Sequence, residues 1–98
     1  MKGGCVYIMS NRSNSVLYIG VTSDLITRVD QHKTKYFPQS FSSRYKCFKL
    51  VYFESYHHIE EALAREKELK GFTRRKKEVI IDTKNPHRID LYDEVLKW

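Results

Sequence analysis

Ninety-eight residues suffice for one domain with a modest core and leave no room for a second. No apolar run approaches the roughly 20 residues of a membrane span and no charged-then-apolar leader opens the chain, so a soluble, cytoplasmic protein is expected. The balance of 18 Lys and Arg against 12 Asp and Glu gives +6, which points to an anionic partner such as nucleic acid, and Cys5 and Cys47 lack the spacing of a zinc site or disulfide framework.

The chain opens with Cys5-Val6-Tyr7-Ile8-Met9, then the turn-forming Asn11 to Ser15, then Leu17-Tyr18-Ile19-Gly20. Two short runs of β-branched and aromatic residues around a polar turn predict a β-hairpin with a longer loop. Each strand carries one tyrosine, and Gly20 is expected to let the chain leave the second strand. Thr22, Ser23 and Asp24 offer N-caps for a helix whose apolar stripe is Leu25, Ile26 and Val29, running to about Lys33 or Lys35. Arg28 and His32 lie four apart and so project from one face of it. Tyr36 to Ser43 reads as loop; here Lys33, Lys35, Arg44 and Lys46 interleave with Tyr36, Phe37, Phe41 and Tyr45, a mixture suited either to phosphates and bases or to tucking rings into the core.

Lys49 to Ser55 reads as a third strand, apolar enough to be central in its sheet. From about His57 or Ile59 the period becomes helical, with Ile59, Ala62, Leu63 and Leu69 forming a stripe. Glu66 falls in the middle of that apolar arc. A carboxylate there requires an ion pair, hydrogen bonds or a cation, because burying it bare costs several kcal/mol or shifts its pKa. Gly71 is expected to end this helix and Thr73 to cap another. The next helix opens on Arg74-Arg75-Lys76-Lys77, cations where the helix dipole prefers anions, which suits either phosphate binding or a solvated charged face. Val79, Ile80 and Ile81 are expected to reach the core, and Asn85-Pro86 to stop the helix. Leu91 to Trp98 reads as a short helix or a docked tail.

These pieces together resemble the GIY-YIG nuclease superfamily, most closely its small stand-alone bacterial members of the URI type. The resemblance is carried by Cys5-Val6-Tyr7, Tyr18-Ile19-Gly20-Val21-Thr22, Leu25 with Arg28 and His32, Leu50 to Glu54, Ala62, Arg65 to Lys70, Arg74, Lys77, Asn85-Pro86 and Asp90-Leu91. It implies an α+β fold, a three-stranded antiparallel sheet flanked by helices in β-β-α-β-α-α order. It further implies hydrolysis of DNA phosphodiester bonds with one divalent metal, Mg²⁺ or Mn²⁺. Carried over residue by residue, Tyr7 and Tyr18 match the motif tyrosines around the nucleophilic water, and Arg28 the arginine on the scissile phosphate. His32 sits where the family has histidine or tyrosine, as a general base or as the group orienting Tyr7. Glu66 matches the metal-binding glutamate and Asn85 the asparagine that braces the site.

Cations expected to meet the nucleic acid, DNA or RNA, are Lys33, Lys35, Arg44, Lys70, Arg74, Arg75, Lys76 and Lys77. Cys5 replaces the glycine of the first motif, and Val21 stands where the excision-repair relatives have lysine, which removes one phosphate contact. No appended DNA-binding domain is expected, so specificity falls to the Tyr36 to Lys46 loop, the basic run or a partner protein. A module that binds nucleic acid without cutting it, or a scaffold for a protein partner, is the competing reading. The first predicts salt-sensitive binding without turnover.

Overall fold

The computed structural model describes residues 3–34 and 40–97, the side chain of Ser42 apart. Lys35, Tyr36, Phe37 and Pro38 therefore lie outside the described residues, as does Trp98. Strand β1 (Gly4–Ser10) is followed by β2 (Leu17–Thr22), helix α1 (Leu25–Lys33), a short α2 (Phe41–Arg44) and β3 (Lys49–Tyr56). Helices α3 (Ile59–Lys70), α4 (Arg74–Lys84) and a single turn, α5 (Tyr92–Val95), complete the chain. This is the expected α+β arrangement of an antiparallel three-stranded sheet with helices on it. No helix among the described residues is long and apolar enough to cross a membrane.

The strand order is β2-β1-β3, so β1 and not β3 is central. The expectation for β3 failed because its buried run, Leu50 to Tyr52, is covered at the outer edge by another kind of partner. The Leu50 amide donates to Asp90 Oδ1 at 3.2 Å, and the Leu50 carbonyl accepts from the Leu91 amide at 2.8 Å. The Asn85 amide group donates to the Val51 carbonyl at 3.0 Å. A loop therefore satisfies the edge that a fourth strand would otherwise template. The pairing of β1 with β3 shifts between Ile8 and Met9, leaving Val51 as the extra residue of a bulge.

Alternation along β1 divides the core in two. Cys5, Tyr7 and Met9 face Leu25 and Val29 of α1 and Val95 of α5. Val6 and Ile8 face Leu69 of α3 and Ile81 of α4. Each fully buried aliphatic side chain stabilises the fold by about 1.5–3 kcal/mol. The helical starts follow the sequence: Asp24 accepts from the Thr27 amide and hydroxyl, and the Thr73 hydroxyl accepts from the Lys76 amide. Gly71 caps α3 without a left-handed backbone, and α4 stops at Lys84, before Asn85-Pro86. Two stripe residues do not reach the core: Leu63 is 41% and Val79 55% exposed. The true apolar arcs are narrower than the sequence suggests, set by Ala62 with Leu69 and by Ile81 alone.

Candidate active site

Tyr7 pairs with Gly20, and Tyr18 with Met9. Positions 7 and 9 share a face of β1, so both tyrosines share one face of the sheet. Their ring centroids are 6.3 Å apart. Gly20 does not end β2, which runs on to Thr22, and no described glycine has a positive φ. Its role is steric. A β-carbon at Gly20 would stand 2.5 Å from Tyr7 Oη, so only glycine lets the Tyr7 ring lie across β2.

From the opposite side α1 supplies His32, buried, with Nε2 2.9 Å from Tyr7 Oη; which partner donates depends on the imidazole tautomer. The His32 ring also meets Tyr18 edge-on, at 5.3 Å between centroids. Tyr7, Tyr18 and His32 thus form one closed triangle of rings, with Arg28 one helical turn before His32.

Burial pushes the Tyr7 phenol well above its ordinary value, Tyr18 and Glu66 reinforce the shift, and Arg28 opposes it. Tyr7 alone therefore stays protonated at neutral pH. His32 moves the other way: burial, then the charge of Arg28, pull it down to about 4. Its imidazole is neutral at pH 7 and free of charge beside the phenol.

Glu66 lies on α3 with its side chain 16% exposed and Lys70 Nζ 3.2 Å from the carboxylate. The helix is fixed by the residue next to it. Arg65 grips Glu54 of β3 through two hydrogen bonds of 3.0 and 3.2 Å, while the hydroxyls of Tyr52 and Tyr56 donate to the same carboxylate. Burial pushes Glu54 up, but these hydrogen bonds from Arg65, Tyr52 and Tyr56 win and hold its carboxyl below the usual range. Among the described residues no three His, Cys, Asp or Glu side chains gather as a metal cage.

The remaining expected site residues scatter. Asn85 is 3% exposed and spends its amide on the fold, donating to the carbonyls of Val51 and Ile89 and accepting from the Ile89 amide. It braces the β3 edge rather than the ring triangle. Of the cations, Lys33 pairs with Asp90 and donates to the Phe48 carbonyl, and Lys70 is held by Glu66. Arg74 pairs with Glu78 and donates to the carbonyls of Asn14 and Ser15, which ties α4 to the β1–β2 turn. Lys76 lies 5.3 Å over the Phe72 ring, Lys77 is half-buried, and Arg44 and Arg75 are exposed. Arg74 thus has a structural role within the basic run.

Sequence reasoning passed over Gly20 as a contact, the Glu54–Arg65 clamp, and helix α2, which it read as loop. On α2, Phe41 stacks on Tyr18 at 6.1 Å and Tyr45 follows at 4.6 Å from Phe41, so a line of rings leads outward from the site. The alternation of Ser40 as N-cap with Phe41 and Tyr45 four apart was the available signal.

A family model described as the GIY-YIG catalytic domain matches residues 3–78, which takes in Tyr7, Tyr18, Arg28, His32 and Glu66 but not Asn85. The solution NMR structure of the UPF0213 protein BH0048 from Bacillus halodurans is similar at 30% sequence identity and a TM-score of 0.55, over 86% of this chain and 87% of that one. No curated protein sequence matches the chain. With most of its length under one family model, and with the motif tyrosines on one face of the sheet, the chain belongs to the GIY-YIG family, a nuclease-type family.

Proposed function

We propose that this protein is a metal-dependent DNA endonuclease that hydrolyses phosphodiester bonds in structured, damaged or nonspecific DNA. The observation that carries the reading is the 2.9 Å contact of Tyr7 Oη with His32 Nε2, made inside a triangle of rings where the charges of both Arg28 and Glu66 act on the Tyr7 phenol. Hydrolysis needs an activated water, a group to receive its proton, and positive charge beside the phosphate oxygens. In this reading Arg28 binds the scissile phosphate and Tyr18 walls the cavity in which the water sits. Tyr7 holds the water and His32 is the proton acceptor.

The proton balance is simple. The water oxygen bonds to phosphorus as its proton passes to Tyr7 Oη and the Tyr7 proton passes to His32. The bond from phosphorus to the 3′-oxygen breaks, and that oxygen takes a proton from solvent. His32 is a weak base chiefly because it is buried and, second, because the Arg28 guanidinium disfavours another cation beside it. A phosphate on Arg28 cancels that charge and raises the basicity of His32, so the base strengthens only once substrate is bound.

The donor set fits a divalent cation. Glu66 is a largely buried carboxylate whose ion-pair partner, Lys70, is 55% exposed and can swing away. One carboxylate suits Mg²⁺ or Mn²⁺, which keep several waters and otherwise bind substrate oxygens. Bound there, the cation supplies stabilisation of developing charge on the phosphate oxygens.

Purified protein incubated with plasmid, nicked and branched DNA and Mg²⁺ or Mn²⁺ tests the reading. Wild type is expected to cut and Glu66→Ala to lose at least about 100-fold in rate. Binding without cleavage under either metal supports the non-cutting module instead, and unchanged cleavage by Glu66→Ala removes that residue from the metal site.

A further inference from the structure

A cleft of about 790 Å³ opens between the β1–β2 turn, the end of α2 and the start of β3, and its wall includes Lys33, the residue after His32. Its walls carry Arg12, Lys46 and Lys49 together with the rings of Tyr45 and Phe48. These three cations form no ion pair among the described residues. The one acid among its described lining residues, Asp90, is already paired with Lys33 and accepts from the amides of Leu50 and Tyr92. The cleft is therefore short of negative charge. Lys46 takes its place there in a left-handed backbone conformation (φ 59°), which costs a residue with a β-carbon roughly 1–2 kcal/mol. Tyr45 is 49% exposed, yet it is also the outer end of the line Tyr18–Phe41–Tyr45, with a single ring between it and the tyrosine of the site.

Cations short of counter-charge beside the exposed Tyr45 ring suit a phosphate and a base together. A base inside a duplex has both faces covered by its neighbours, so only an unpaired nucleotide offers a face to Tyr45. We propose that this cleft is a nucleotide subsite, which takes an unpaired nucleotide flanking the phosphate bound by Arg28. The base lies against Tyr45 and Phe48, and the phosphate against Arg12, Lys46 and Lys49. The assignment rests on the nuclease reading for its direction along the strand. It makes the preferred nucleic acid one with a single-stranded tail or gap next to duplex.

The test is a binding measurement in chelator, where nothing is cut. Fluorescence anisotropy compares a blunt duplex with the same duplex bearing a short single-stranded tail, and 2-aminopurine at successive tail positions reports stacking. The tailed duplex is expected to bind about 5- to 100-fold more tightly than the blunt one, with 2-aminopurine emission quenched at one position. Tyr45→Ala should abolish both the preference and the quenching, while Tyr45→Phe, which keeps the ring, should retain them. Lys49→Ala should lower the salt slope by about one for tailed DNA only. Equal affinity for blunt and tailed DNA in wild type overturns the proposal, as does a Tyr45→Ala protein that keeps the quenching. Failure of the nuclease reading shows in the cleavage assay with metal, a separate result, because binding to the tail requires no turnover.

Discussion

At the scale of single residues, Gly20 and Tyr7 are one device. The missing β-carbon of Gly20 is what allows the Tyr7 hydroxyl to lie over β2 and reach His32. Replacing Gly20 with Ala moves the phenol by overpacking, which costs about 1–3 kcal/mol, and opens His32 to water. In wild type, burial keeps the His32 midpoint near 4, so it stays neutral through physiological pH. Its folded value lies below the unfolded one of about 6.5, so its contribution to stability is complete above pH 6.5 and is lost as pH falls through about 4. An NMR titration of the imidazole protons is expected to give a midpoint well below 6.5 in wild type and a higher one in Gly20→Ala. Equal midpoints in the two proteins would show that Gly20 does not position Tyr7. None of this coupling is legible before the strand register is known, since Gly20 and Tyr7 are distant in sequence and meet only as ladder partners.

Elements position the site through their clamps. Helix α1 brings Arg28 and His32 to the tyrosine face with Leu25 and Val29 buried beneath them, and that spacing is visible in the sequence as an ordinary helical repeat. Helix α3 instead depends on Arg65 and Glu54, which lock it to β3 one residue before Glu66. Arg65→Met should lower stability at pH 7 by about 1–3 kcal/mol, the range for hydrogen bonds to a charged group. Glu54 has a depressed folded pKa, so the Arg65 contribution is complete above the unfolded carboxylate value of about 4.3 and is lost as pH falls through the folded one. Chemical denaturation at pH 7 and at successively lower pH is expected to show a wild-type advantage at neutral pH that shrinks as the pH falls below about 4.3. A pH-independent difference would assign the Arg65 effect to packing alone. The sequence signals amphipathic helices well but not their clamps. Leu63 and Val79 read as core yet are exposed, because nothing in a periodicity says how wide a groove the sheet offers.

Over the whole molecule, the central position of β1 joins the two cores and places both tyrosines where α1 can close on them. The hairpin, the strand at Lys49 and the helices that follow were all legible from composition and period. The place of β3 was not, because Asn85, Asp90 and Leu91 satisfy its edge from a loop that carries no strand pattern. The charge of +6 agrees with a nuclease-type family, whose substrate in general is a nucleic acid. Arg74, Lys33 and Lys70 are held within the fold, while Arg12, Lys46 and Lys49, which the motif comparison does not single out, line the cleft. In the proposed reaction the Tyr7–His32 pair is the group that activates water. Its most direct test is the single-turnover rate of plasmid nicking with Mg²⁺ or Mn²⁺ by wild type, Tyr7→Phe and His32→Ala. Both variants are predicted to fall by about 10²–10⁴-fold while binding DNA as wild type does. Nicking by either variant at the wild-type rate would contradict it.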